Sequence, residues 1–147
     1  MRRQVIEHLV TVSGSYQDLI AGLPESALAR QLTDRSNTIG AQLWCVVGAR
    51  ESYTAAVEGD GWAGFSCSLS GAETTNRGRV LGALSQSQAR LDEIIGQIEW
   101  TEARDGLLLD LLEHEVQHQG QLIRYLYALA LPIPESWARR WALAQAE

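Results

Sequence analysis

Leu111-Leu112-Glu113-His114-Glu115-Val116-Gln117-His118-Gln119-Gly120-Gln121-Leu122 carries two of the chain's three histidines, four residues apart. Successive helical residues turn by about 100°, so positions i and i+4 lie only about 40° apart on one face. Leu111, Leu122 and Tyr125 fall on the same stripe. The stretch therefore reads as an amphipathic helix whose imidazoles point toward the interior. Two inward imidazoles one turn apart are half of a metal site. The plainer reading is a pair of hydrogen-bonded core histidines. It must supply partners for both rings, because a buried polar group without one costs stability.

The segments on either side repeat the helical period. The stretch sits within residues 105–131, the most apolar segment, closed by Pro132 and Pro134. Residues 3–23 space Val5, Ile6, Leu9, Val12, Tyr16, Leu19 and Ile20 for one face, and Gly22-Leu23-Pro24 stops that helix. Residues 38–58 form a second helix, with Ser36 or Asn37 as its expected N-cap. Its large face holds Ile39, Leu43, Val46, Val47, Arg50, Tyr53 and Val57. Beside it runs a stripe of small residues, Ala41, Cys45, Ala49, Ser52 and Ala56, which lets a neighbouring helix or a ligand come close. Residues 73–100 make a third helix through Val80, Leu84, Leu91, Ile94 and Ile98. Residues 135–146 make a short last one, whose Trp137 and Trp141 form a docking face. The glycine- and serine-rich residues 62–71 carry Trp62, Phe65 and Cys67. They are either a crossover pinned to the surface by its aromatics or a segment packed over a site. No useful strand alternation appears. The expected fold is all-α, an up-and-down four-helix bundle with a long crossover between helices 2 and 3 and a short C-terminal helix. Residues 1–147 make one domain of it.

The net charge is −6, and all twelve positive charges are arginines scattered along the chain, so the concentrated basic face that nucleic-acid binding needs is missing. No apolar run is long enough to span a membrane. The first residues, Met1-Arg2-Arg3-Gln4-Val5-Ile6-Glu7-His8, lack the apolar core of a signal peptide, which makes a cytoplasmic location the expectation. Two cysteines, Cys45 and Cys67, are too few for a disulfide framework and read as free thiols or ligands.

A protein-bound transition metal usually takes at least three side chains. His114 and His118 supply two, and the third must come from another segment. The candidates are Cys45, His8 and a carboxylate such as Glu51 or Glu115. Cys45 is mid-helix on the small-residue stripe; His8 reads as a partly exposed residue of helix one. His114-Glu115-Val116-Gln117-His118 also fits the H-E-x-x-H pattern of zinc proteases. The pattern is short, and the sheet that such proteases place beside the helix has no counterpart here. Glu115, about 100° round from His114, is expected to be solvated. Gln121 is nearer the ligand face and is expected to orient a ligand. No catalytic residue stands out.

The run from Leu112 to Leu126, followed by Leu129 and Pro132, resembles the C-terminal signature of the DinB-like family. The run from Asn37 to Tyr53, with its Gly48-Ala49-Arg50, resembles the second helix of that family. The resemblance implies a four-helix bundle, often a homodimer, holding a divalent metal through one second-helix histidine and two histidines of the last long helix. His114 and His118 match the latter two, and the second-helix position falls on Cys45. A thiolate in that place makes a softer Cys45/His114/His118 centre, which favours zinc, with nickel or iron as the alternatives. The shorter side chain requires the two helices to close up. The resemblance further implies a relation to thiol-dependent transferases or isomerases that use a small-molecule thiol; an open position on the metal, binding water or a substrate thiol, fits such a transferase or a metal-assisted hydrolase. The alternative is a non-catalytic dimeric bundle in which the cysteine has abolished the site and the tryptophans of the tail lie at an interface.

Overall fold

The computed structural model describes residues 1–59 and 61–144, and within them all regular structure is helical. Four long helices are α1 (Arg2–Gly22), α2 (Ile39–Glu58), α3 (Arg77–Gln97) and α4 (Glu102–Ala128); α5 (Glu135–Trp141) is short. Single 3₁₀ turns at Glu25–Ala29 and Gly71–Glu73 shape the connections. Side-chain caps set three of the starts, since each supplies an acceptor to an orphan backbone N–H. Thr38, rather than Ser36 or Asn37, accepts from Ala41 N at 3.0 Å. Asn76 accepts from Arg79 N at 3.0 Å, and Thr101 from Arg104 N at 3.2 Å. Asn76 explains why α3 begins later than residue 73: the 3₁₀ turn comes first, and the helix proper needs its own cap. α4 ends before the prolines, where Ala130 takes a left-handed conformation at φ 51°. The end of the expected last helix, Ala146, lies outside the described residues. No described helix is long and apolar enough to cross a membrane.

α4 packs against α1 and α2, and α3 packs against the same two from the other side. The direction of each helix follows from its paired contacts. Arg2 bonds Asp105 and Ser15 bonds Gln119, so α1 and α4 run parallel. Gln42 meets His118, Arg50 meets Glu115, and Arg104 reaches Val57 O, so α2 and α4 are antiparallel. Arg50 reaches Leu84 O and Glu58 meets Arg90, so α2 and α3 run parallel. Strict up-and-down alternation therefore fails between α2 and α3. The crossover has to return the length of a twenty-residue helix, about 30 Å, before α3 can start.

The crossover lies along α2. Phe65 packs on the bare Cα of Gly48 and tilts against Trp44, with ring centroids 5.1 Å apart. Trp62 tilts against Tyr53 at 4.9 Å. Both loop aromatics stay about half exposed, at 46% and 51%, so the pinned-crossover reading holds. Gly40 faces the carbonyl of Thr74 so closely that a Cβ would overlap it. Backbone cannot swing away as a side chain can. Gly40→Ala is expected to cost about 1–3 kcal/mol, read from the urea midpoint, by forcing α2 off the crossover.

The core runs between the long helices through residues such as Leu9, Leu43, Val46, Leu84, Leu91, Leu111 and Leu122. α5 closes one flank. Trp137 is buried edge-on against Tyr16 and donates from Nε1 to Ser15 O at 2.9 Å. Trp141 donates to Gln119 Oε1 at 2.9 Å. The tail tryptophans thus dock within the chain, as their spacing predicts, Trp137 fully buried and Trp141 in part.

Candidate metal centre

The buried stripe of α4 is Leu108, Leu111, Glu115, Gln119, Leu122 and Leu126. His114 and His118 lie beside that stripe, half-buried, on the flank that faces α2. The two rings sit 4.6 Å apart, centroid to centroid, as i and i+4 on one helix should. From the antiparallel α2, Cys45 brings its Sγ to 3.6 Å from His114 Nε2. One ligand atom from each of Cys45, His114 and His118 lies within 4.8 Å of the others, so the cluster could hold a metal ion. The closure that the short thiol demands is met by the small-residue stripe, whose Ala49, Ser52 and Ala56 are all buried.

The spacing suits a tetrahedral ion. Zinc about 2.3 Å from sulfur and about 2.0–2.1 Å from nitrogen places those two ligand atoms about 3.6 Å apart. The polar chemistry suits one as well. Burial holds the His114 imidazole below its ordinary value, with Glu115 opposing the effect. Burial pushes His118 down to about 4, and the neighbouring His114 adds to the effect. Both rings are therefore neutral at pH 7, with lone pairs available. Burial raises the Cys45 thiol, so without a cation it keeps its proton. His114 Nδ1 is buried without a hydrogen-bond partner, which leaves that ring's polar capacity unmet by the protein alone.

The other sequence candidates fall elsewhere. His8 is exposed on α1. Glu51 accepts from the backbone and hydroxyl of Ser68 in the crossover. Cys67 donates to Trp44 O at 3.5 Å, and burial pushes its thiol up to about 11. It packs beneath the loop and is not one of the clustered ligands. Gln121 is exposed.

Glu115 is the main correction. It is not solvated: it is fully buried, and so is Arg50. Arg50 Nε donates to Glu115 Oε1 at 2.7 Å and Nη2 to Oε2 at 3.0 Å, a two-pronged pair. The remaining guanidinium donors reach Leu84 O, Ser87 Oγ and Ser13 O. The Tyr16 ring lies 5.8 Å below the guanidinium carbon, and the Tyr16 hydroxyl donates to Glu115 O. Burial beside Glu115 lifts that phenol well above its usual value. Glu115 is thus turned into the core and held by an arginine, away from the face a general base would occupy. The protease reading fails on this geometry, and no sheet is present among the described residues. The pair also locks α4 against α2 one residue from His114, which sets the rotation that presents both histidines to Cys45.

Gln42 was absent from the sequence candidates. It is buried on α2, and its Oε1 lies 3.2 Å from His118 Nδ1. The available signal was a polar side chain amid the apolar residues of α2, one turn before Cys45.

No protein-family model matches the chain, and no curated protein matches it.

Proposed function

We propose that the chain is a divalent-metal-binding helix bundle of the DinB-like type, in which Cys45, His114 and His118 hold zinc. One observation carries the reading: a thiol and two neutral imidazoles, from two antiparallel helices, converge with the sulfur-to-nitrogen spacing of a tetrahedral ion. Three side-chain ligands leave one position for a substrate or water, the arrangement of a catalytic site. A metal held there supplies Lewis acidity. The chain's own part is to keep two imidazoles neutral, to deliver one thiolate and to shield the site with the α2–α4 packing. A thiol-dependent transferase acting on a small-molecule thiol, or a metal-assisted hydrolase, is the activity we assign, in a cytoplasmic homodimer. The half-exposed edges of the three ligands support access by a small molecule.

A second reading has its own support. Cys45 and His114 are also within hydrogen-bond reach of each other, and Gln42 satisfies His118, so the cluster is partly self-sufficient. In that case the protein is a non-catalytic dimeric bundle. Metal content separates the two. Untagged protein prepared without chelator is assayed for zinc, nickel and iron. Near-stoichiometric metal that is lost in His118→Ala supports the centre. Metal-free protein that takes up no added zinc overturns it. Unchanged zinc affinity in Cys45→Ser would remove Cys45 from the ligand set.

A further inference from the structure

The two histidines of the cluster are supported unequally. His114 turns Nε2 toward Cys45 and leaves Nδ1 buried and unbonded. His118 has a partner at one ring nitrogen: Nδ1 lies 3.2 Å from Gln42 Oε1. An amide oxygen only accepts, so that hydrogen bond requires the proton to be on Nδ1. In a neutral ring the other nitrogen, Nε2, then carries the free lone pair. Gln42 is 3% exposed, so its side chain is held by packing.

From this geometry we infer that Gln42 is a positioning residue that holds His118 in its metal-binding tautomer and fixes the plane of its ring. The inference rests on the metal reading above and adds to it the residue that prepares one ligand before any ion arrives. A ring free to choose its tautomer places the proton on the ligating nitrogen for part of the time. It must also lose its rotational freedom on binding. A fixed ring avoids both costs, which is why the outer partner of a ligating histidine is worth roughly 10–100-fold in metal affinity.

The other buried glutamine near the cluster shows what a purely structural amide does here. Gln119 spends its whole side chain on the framework: Nε2 donates to Ser15 Oγ and Val12 O, and Oε1 accepts from Trp141. Gln42 points instead at a candidate ligand. As a neutral acceptor it orients the ring without adding a negative charge to a cluster that already contributes a thiolate.

The test has two parts. Nitrogen-15 NMR of the metal-free wild type reports the His118 tautomer directly and needs no substitution; Nδ1–H is expected. Zinc affinity is then measured by competition with a chromophoric chelator for the wild type, Gln42→Leu and Gln42→Glu. Gln42→Leu should bind zinc roughly 10–100-fold more weakly while the metal-free protein melts no lower, and Gln42→Glu, which keeps an acceptor oxygen, should restore affinity to within a few-fold. A merely structural glutamine would instead change the melting temperature and leave the tautomer alone. Nε2–H on His118 in the wild type, or equal zinc affinity in all three proteins, overturns the inference and leaves the metal reading standing. A wild type that takes up no zinc overturns both.

Discussion

Glu115→Ala should destabilise the protein by about 3–5 kcal/mol, because it strands the Arg50 guanidinium in the core. Neither side chain of this pair has any exposed surface. Removing the carboxylate leaves five N–H donors with only carbonyls and one hydroxyl within reach, and a positive charge with no counter-ion. That loss is a large part of the 5–15 kcal/mol that holds an ordinary domain folded. The urea midpoint, followed by tryptophan fluorescence, is the direct readout. Arg50→Met combined with Glu115→Leu removes both charges and should recover most of the loss, since apolar replacements of a buried pair are often neutral or better. A cost below about 1 kcal/mol for Glu115→Ala would show that water reaches the arginine and that the pair does not set the α2–α4 register.

The helices and their apolar faces were legible because period and punctuation agree at each one. Gly22-Leu23-Pro24 closes α1, and the Trp137–Trp141 spacing predicts the docked tail. Direction was not legible: a sequence shows that a long crossover exists, but not that it carries the chain back so that α3 runs parallel to α2. The candidate centre was legible from the i,i+4 histidines, and Cys45 from its place on the small stripe. Glu115 was misplaced because its angle was counted from His114, taken as the inward face. Counting from Leu111 and Leu122, Glu115 and Gln119 continue the core stripe, with the histidines on its flank. Arg50 was the missing clue. A cation amid Val46, Val47 and Val57 demands an anion from a facing helix, and only a carboxylate on the core stripe of α4 meets that demand.

Zinc affinity should rise about tenfold per pH unit between pH 6 and 8, about 100-fold in all, or about 2.7 kcal/mol. The sign follows from the protons each form carries. Burial holds the Cys45 thiol above its ordinary range, so across this window the metal-free protein keeps a proton that a thiolate ligand must give up. Raising the pH removes the competitor and favours the bound form. The histidines add little to the slope in the upper part of this window: His118 titrates at about 4, and burial lowers His114 too, so both rings are mainly neutral there. Chelator competition at pH 6, 7 and 8, corrected for the chelator's own protonation, gives the slope. A slope of one in the wild type that falls to near zero in Cys45→Ser identifies the displaced proton as the thiol's, because a serine hydroxyl does not ionise in this range. A flat wild-type profile would mean that sulfur is not a ligand, and the cluster would then be reduced to two imidazoles on one helix. A slope of two would mean that a histidine is charged in the free protein and that the α2–α4 packing shields it less than its half-buried position implies.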